Sequence, residues 1–249
     1  MIHPGPQQRD DGESSAAMKF ALTNDDGIDE PGIAALSDVC RELGETVVVA
    51  PATAQSGISH QVTEDGEIRI EERGPDRFAV HGTPADCARI ALLEICPDAD
   101  WLIAGINAGA NVGVDVYVSG TVAAARQAAI HGRPALAISQ YFRRYALVDW
   151  PRTARLTGRV LRDVIERGTT PGEFWNANLP DPTGPEDPTA HPEIIECPID
   201  PSVSAIGYER SDAGLTWKAD YHSRPRLARH DVDICFGGRV ALTRMSVVP

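Results

Sequence analysis

The chain has 249 residues, a formal net charge of −13 at pH 7 and a pI near 4.9. That acidity argues against wrapping a nucleic-acid polymer, which takes basic stripes, and no apolar run is long enough to span a membrane. A small phosphorylated substrate stays compatible, because a bound cation can offset its charge.

Residues 1–17 are polar, lack an apolar stretch and read as a disordered leader, with Met18 an alternative start. From residue 18 to 249 the pattern predicts a single α/β domain. Lys19–Thr23 reads as a strand, and Ile33, Leu36, Val39 and Leu43 have helical spacing with Gly44 as the stop. Thr46–Ala50 is a β-branched run, as expected of a strand buried on both faces. Gln61–Ile70 and Phe78–Val80 read as a more exposed strand pair. Thr83 and Pro84 supply an N-cap and a first helical residue. Trp101–Ala104 is predicted as a strand, Gly105–Gly113 as a Gly/Asn loop, Gly120–His131 as an Ala-rich helix and Ala135–Ser139 as a strand. Ala154–Glu166 then reads as a helix, Phe174–Leu179 as a strand and Asp181–Pro192 as a loop. Short strand-like pieces at Glu193–Cys197, Gly214–Ala219 and Arg239–Thr243 make 181–249 a β-rich extension. Repeated strand–helix units predict a Rossmann-like doubly wound α/β fold around a mostly parallel sheet.

In such a sheet, ligands bind at the carboxyl ends of the strands. Four loops sit at such ends: Asn24–Pro31, Ala54–His60, Gly105–Gly113 and Ser119–Thr121. In the first, Asp25 and Asp26 are adjacent carboxylates, which repel unless hydrated or bound to a cation. Two carboxylates with hydroxyl and amide oxygens suit a hard octahedral cation such as Mg²⁺ or Mn²⁺, and suit zinc poorly. Ser119-Gly120-Thr121 before a helix offers hydroxyls and N–H groups to an anion. The competing reading of Asp25-Asp26 is a turn closed by an Asx hydrogen bond. Asn107 and Asn111 also suit αL turn positions, and Ser119 an ordinary N-cap. His60 is either a general acid or a residue that fixes the Ser56 loop; the second is favoured. Arg126 fits either substrate phosphate or an internal ion pair. Asp86 reads as serving its helix dipole, and Cys87 as a small buried apolar residue. The five cysteines, Cys40, Cys87, Cys96, Cys197 and Cys235, are scattered with no C-x-x-C pair, which points to reduced thiols and the cytoplasm.

The loops together resemble the SurE survival-protein family. The resemblance runs through Thr23-Asn24-Asp25-Asp26-Gly27-Ile28 with Pro31-Gly32, Val49-Ala50-Pro51 and Gln55–His60. It continues through Gly82–Cys87, Gly105-Ile106-Asn107 with Gly109-Ala110-Asn111, and Tyr117–Val122 with Ala124-Ala125-Arg126. It is dense over 19–139 and thinner beyond, where Asn176–Pro180 and Asp231 carry it. One departure is Gln127, where many relatives carry Glu. The resemblance implies a stationary-phase 5′-nucleotidase that hydrolyses nucleoside 5′-monophosphates to nucleoside and phosphate, with 3′-monophosphates and short polyphosphate as further candidates. It implies one divalent metal ion on Asp25, Asp26, Ser56 and Asn107, and the two carboxylates as candidate bases for the attacking water. Asn24, Asn111, Ser119, Gly120 and Thr121 would form the phosphate and substrate site. A homodimer or homotetramer is implied, with the C-terminal extension exchanged between subunits. The alternatives are a nucleotide- or phosphate-binding protein without turnover, and a phosphatase for another small phosphomonoester.

Overall fold

The computed structural model describes residues 17–143, 148–181, 191–203 and 206–247. Eleven strands and five α-helices follow one another within them. In the first half these are β1 (Met18–Thr23), α1 (Pro31–Arg41), β2 (Gly44–Pro51), β3 (Ile70–Gly74), β4 (Arg77–Val80), α2 (Pro84–Ile90), β5 (Trp101–Ala108) and α3 (Gly120–Ile130). The rest are β6 (Ala135–Gln140), α4 (Trp150–Arg167), β7 (Glu173–Leu179), β8 (Ile194–Glu196), β9 (Ile206–Ser211), β10 (Gly214–Ala219), α5 (Asp231–Phe236) and β11 (Val240–Ser246). A π turn, Ala91–Ile95, prolongs α2, and a 3₁₀ turn, Gly113–Tyr117, leads into α3.

Nine strands form one sheet in the order β3-β4-β2-β1-β5-β6-β7-β11-β8. β4, β2, β1, β5, β6 and β7 are mutually parallel; β3 runs antiparallel to β4 and β11 antiparallel to β7, while β8 runs parallel to β11. The chain winds outward from β1 to β2 and β4, then returns to place β5 on β1's other side. That reversal is the switch point at which doubly wound sheets hold ligands.

Alternation along the strands fills both faces. Phe20 and Leu22 join Ile33, Leu36 and Val39 of α1 and Val160, Leu161 and Val164 of α4 in one apolar layer. Ala21, Val47 and Val49 join Cys87 and Ala88 of α2 and Ala124, Ala125 and Ala128 of α3 in the other. Each large aliphatic chain buried this way contributes about 1.5–3 kcal/mol. The alanines let α2 and α3 lie close to the sheet, which matters for the site at the start of α3.

Several expectations need correction. Gly44 opens β2 rather than merely stopping α1, which ends at Arg41. Residues 61–69 form no strand; β3 starts only at Ile70. The run Glu64-Asp65-Gly66-Glu67 is charged and turn-forming, and the buried carboxylate of Asp86 accepts the Thr63 N–H (2.9 Å) and hydroxyl (2.7 Å), pinning that stretch to α2. β5 runs four residues past Ala104 into the expected loop, and its register with β6 shifts between Ala104 and Asn107. Gly105 sits in that shift at φ +144°, where a Cβ would lie 2.3 Å from the Ile138 carbonyl oxygen. The extension is β-rich as expected, with the short helix α5 within it, and its strands β8 and β11 complete the main sheet. The leader, apart from residue 17, and most of the Asp181–Pro192 loop lie outside the described residues.

Candidate metal and phosphate site

β1 ends in Thr23, and the next four residues build the site. Asn24 is buried; its Nδ2 donates to the Gly27 carbonyl at 2.7 Å, and its Oδ1 accepts the Gly27 N–H at 3.3 Å. The Asx turn anticipated here therefore exists, but Asn24 closes it. The carboxylates of Asp25 and Asp26 are left for other work, while the Asn24 amide is spent on its own loop.

The two carboxylates face different neighbours. Asp25, only 6% exposed, accepts the Thr121 hydroxyl on Oδ1 at 2.5 Å. Asp26 accepts the Ala108 N–H, at the end of β5, on Oδ2 at 3.1 Å. Burial pushes the Asp25 carboxyl up to about 6, against the Thr121 hydrogen bond that holds it down; the nearby Asp26 charge adds to the rise. Burial also raises Asp26, opposed by the Ala108 N–H and helped by Glu30. Among the described residues neither carboxylate joins an ion pair. Buried negative charge without a compensating cation is costly.

α3 begins against Asp25. Ser119 is its N-cap; Ser119 Oγ accepts the Val122 N–H at 3.1 Å, and the Ser119 carbonyl accepts the Ala123 N–H at 3.1 Å. The N–H groups of Gly120 and Thr121 are therefore left without partners inside the helix. A Cβ on Gly120 would stand 2.9 Å from Asp25 Cβ and 3.1 Å from Pro84 Cγ, so only glycine lets the helix start so close to the carboxylate. The Thr121 hydroxyl is donated to Asp25, whereas Ser119 Oγ only accepts and keeps its O–H, so the Ser119 hydroxyl and the Gly120 and Thr121 N–H groups are the donors available to an anion.

The Ser56 loop is tethered on both sides of this pair. Gln55 N–H donates to the Asp25 carbonyl at 2.7 Å. Ser59 donates through its N–H to Val118 O (3.1 Å) and through its hydroxyl to Tyr117 O (2.8 Å). Ser56 itself is exposed. His60 Nε2 lies 2.8 Å from Gln127 Oε1, and His60 Nδ1 is 3.3 Å from Arg126 Nη1. Arg126 also donates to the Val116 carbonyl at 3.2 Å. His60 and Arg126 thus brace the Ser56 loop against α3, and among the described residues Arg126 makes no ion pair. Gln127 continues the chain, its Nε2 lying 2.9 Å from His131 Nε2.

Asn107 ends β5 beside Ala108; its Nδ2 donates to Gly109 O at 2.6 Å, which leaves Oδ1 as its open donor atom. Asn111 is a buried hub. Its N–H donates to Asn178 Oδ1 (2.7 Å), its Nδ2 to Ser139 Oγ (2.8 Å), and its carbonyl accepts from Asn176 (2.9 Å) and Asn178 (3.0 Å). In the sequence, Ser139 reads only as a strand residue, and Asn176 and Asn178 only as part of the Asn176–Pro180 resemblance, with no binding role given to any of the three. The available signal was the period-2 spacing of the two asparagines, which puts both on one face of β7.

The fold thus brings Asp25, Asp26, Gly120, Thr121 and Asn107 to one switch point, with Ser56 on a loop anchored there and Asn24 and Asn111 holding loops in place. No cluster of three or more His, Cys, Asp or Glu occurs among the described residues. Donors beyond the two carboxylates are therefore neutral oxygens. Asp25, Asp26, Asn107 and Ser56 fit a hard divalent cation.

Architecture and site define a Rossmann-like α/β protein with an oxygen-donor, anion-facing site at its switch point. The family model described as survival protein SurE matches residues 20–196, and the chain belongs to that family. It is 42% identical over 231 residues to a putative 5′-nucleotidase of Synechocystis, covering 92% of this chain and 100% of that one. It is 41% identical over 178 residues to the 5′-nucleotidase SurE of Methanothermobacter thermautotrophicus, covering 66% and 68% of the two chains. The crystal structure of the SurE protein from Aquifex aeolicus superposes with a TM-score of 0.80 at 27% identity, covering 92% of this chain and 93% of that one.

Proposed function

We propose that this chain is a metal-dependent phosphomonoesterase that hydrolyses nucleoside 5′-monophosphates, with 3′-monophosphates and short polyphosphate as secondary substrates. The observation that carries the reading is the adjacent pair of Asp25, buried against the N-terminus of α3, and the half-buried Asp26, held by the Ala108 N–H, with no ion pair to either among the described residues. Relatives named 5′-nucleotidase support the reaction class.

Asp25, Asp26, Asn107 and Ser56 would hold one divalent ion, Mg²⁺ or Mn²⁺. When bound, that ion supplies Lewis-acid polarisation of the phosphoryl group and a more acidic water. The Gly120 and Thr121 N–H groups bind the phosphate oxygens at the positive end of α3. Asp25 and Asp26 are the bases within reach of a water beside that phosphate. Thr121 holds Asp25 in place, and Ala108 N–H holds Asp26. Asn24 and Asn111 support the binding site through the loops they fix.

The extension would form the subunit interface of a homodimer or homotetramer. β9 and β10 make a two-stranded ribbon in which Tyr208 pairs across from Trp217, with Leu215 two residues along on the same face. These side chains are 64%, 57% and 56% exposed. A lone hairpin with an apolar face is marginal in water and is stabilised by being covered. All five cysteines are free and buried, and no helix among the described residues is long and apolar enough to cross a membrane. Both features support a cytoplasmic enzyme.

The test is phosphate release from a panel of nucleoside monophosphates with EDTA, Mg²⁺ or Mn²⁺. Metal-dependent release that is absent in Asp26→Ala supports the reading. Nucleotide binding without phosphate release would favour a sensor, and release only from other phosphomonoesters would reassign the substrate.

A further inference from the structure

A second recess opens beside the carboxylate pair, at the carboxyl ends of β5 and β6. Its volume is about 360 Å³. Ala108 forms its inner edge, Tyr141, Phe142 and Tyr221 its aromatic walls, and Arg143 and His222 its rim. The inner edge is shared with the metal and phosphate site, because the Ala108 N–H is the group that holds Asp26.

The walls are set before any ligand arrives. Tyr141 is buried and stacked on Phe236 of α5, with centroids 4.1 Å apart and planes 9° from parallel. Tyr221 donates its hydroxyl to Ala110 O at 3.0 Å, and the Arg224 guanidinium lies 5.2 Å from its ring centroid. Arg224 is itself buried and paired with Asp115, in the turn that leads into α3. His222 Nδ1 sits 3.0 Å from the Tyr141 hydroxyl. At the exposed rim, the Arg143 guanidinium stands 3.9 Å from Asp181.

Rigid aromatic faces with donors at the edge suit a flat heteroaromatic ring that carries acceptors on its perimeter. The volume falls near the lower end of the ~300–1,000 Å³ usual for small-molecule sites. That excludes an oligonucleotide and admits a single nucleoside. The order along the cleft is the N-terminus of α3, the carboxylates, Ala108, then the aromatic recess. A phosphate, sugar and base follow each other in the same sequence.

We propose that this recess is the nucleobase subsite, with Tyr221 and Phe142 stacking on the base and Arg143 and His222 donating to its edge. The proposal rests on the nucleotidase reading and adds the groups by which the enzyme separates nucleotides from other phosphomonoesters.

Competition kinetics test it. With AMP as substrate, the Arg143→Ala/His222→Ala protein should show a KM raised about tenfold and kcat within about twofold, each tenfold being ~1.4 kcal/mol. The inhibition constant of adenosine should rise in parallel, while that of inorganic phosphate stays put. Tyr221→Ala should do the same, and Tyr221→Phe, which keeps the ring and gives up the hydroxyl's contacts with Ala110 and Arg224, should restore most of the adenosine affinity. Equal weakening of adenosine and phosphate, or of neither, overturns the subsite. Calorimetry of adenosine on wild type and variants keeps the two readings apart. Binding that is lost in the variants, without turnover in the wild type, removes the nucleotidase reading alone. Turnover with adenosine binding indifferent to the substitutions removes the subsite alone.

Discussion

The carboxylate side of the cleft and its aromatic side differ in how the chain builds them. The first is made at strand-to-helix turns of the parallel sheet: Asn24–Gly27 after β1, Asn107–Ala108 at the end of β5, and Ser119–Thr121 opening α3. Each group there is held by backbone or cap hydrogen bonds within or between those turns. The second joins Tyr141, after β6, to residues far along in the extension, through Tyr141–His222 and Tyr141–Phe236. Chemistry common to every phosphomonoester thus sits on the rigid sheet, and contacts that discriminate among them sit on a segment with few sheet constraints. Substitutions on the first side should therefore cost turnover, and those on the second should cost selectivity.

The largest effect is expected at the carboxylates. Asp26→Ala or Asp25→Ala should lower phosphate release from AMP on the order of 10³-fold or more, since each would remove a metal ligand and a candidate base. Circular dichroism should show the fold retained. Release at the wild-type rate with Mg²⁺ or Mn²⁺ would sink the assignment.

Gly120→Ala comes next. Its Cβ would lie 2.9 Å from Asp25 Cβ, and neither the buried Asp25 nor Pro84 has room to yield. The start of α3 and the carboxylate must therefore move apart by a fraction of an ångström. Displacements of that size cost about 10²-fold in rate when they misplace reacting groups. Steady-state kinetics should show the loss in kcat/KM, with a melting temperature that changes little because alanine favours the helix.

The same contrast explains what could be read without a structure. β1, β2 and β5–β7 were legible because a buried parallel strand is a short apolar run, and α2 because Thr83 and Pro84 mark its start. The clustering of Asp25, Asp26 and Gly120 followed once the sheet was taken as doubly wound, since the fold alone brings those strand ends together. The Asn111 hub was not legible: its partners lie 28 to 67 residues away, and an asparagine among glycines looks like a turn. α5 is only six residues long and has no side-chain cap, so it shows neither helical period nor start signal. The aromatic recess was missed for the same reason as the hub, because nothing local marks Tyr221 or Phe142 as neighbours.

Asp231 ties the two sides together and offers the next test. Its carboxylate accepts the N–H groups of Gly113 (2.7 Å) and Asp200 (2.8 Å), linking the loop before α3 to the extension. Replacing it with alanine leaves buried donors unpaired, at about 1–3 kcal/mol for each. Urea unfolding should report a loss of about 2–4 kcal/mol, in the range of a broken buried network. If the recess is the base subsite, the inhibition constant of adenosine should rise more than that of phosphate. A shift of phosphate alone would mean that Asp231 supports the carboxylate side only.

The smallest effect concerns the metal-free protein. Burial raises the Asp25 carboxyl from its ordinary value of 3.8 to about 6. A carboxyl that holds its proton more tightly folded than unfolded favours folding at low pH. That contribution is fully present below pH 4 and is lost as the pH rises through 6. In EDTA, wild type should therefore lose stability between about pH 4 and 6. The loss should be at most about 3 kcal/mol, because each tenfold change in proton affinity is worth about 1.36 kcal/mol. Asp25→Asn keeps an acceptor for the Thr121 hydroxyl and removes the charge. Its melting temperature in EDTA should exceed that of wild type by several degrees at pH 8, at about 2–4 °C per kcal/mol for a chain of this size, and match it at pH 4. Added Mg²⁺ or Mn²⁺ should close the gap at pH 8 by stabilising wild type alone. A gap that persists at pH 4 would mean that the substitution acts through packing and not through charge.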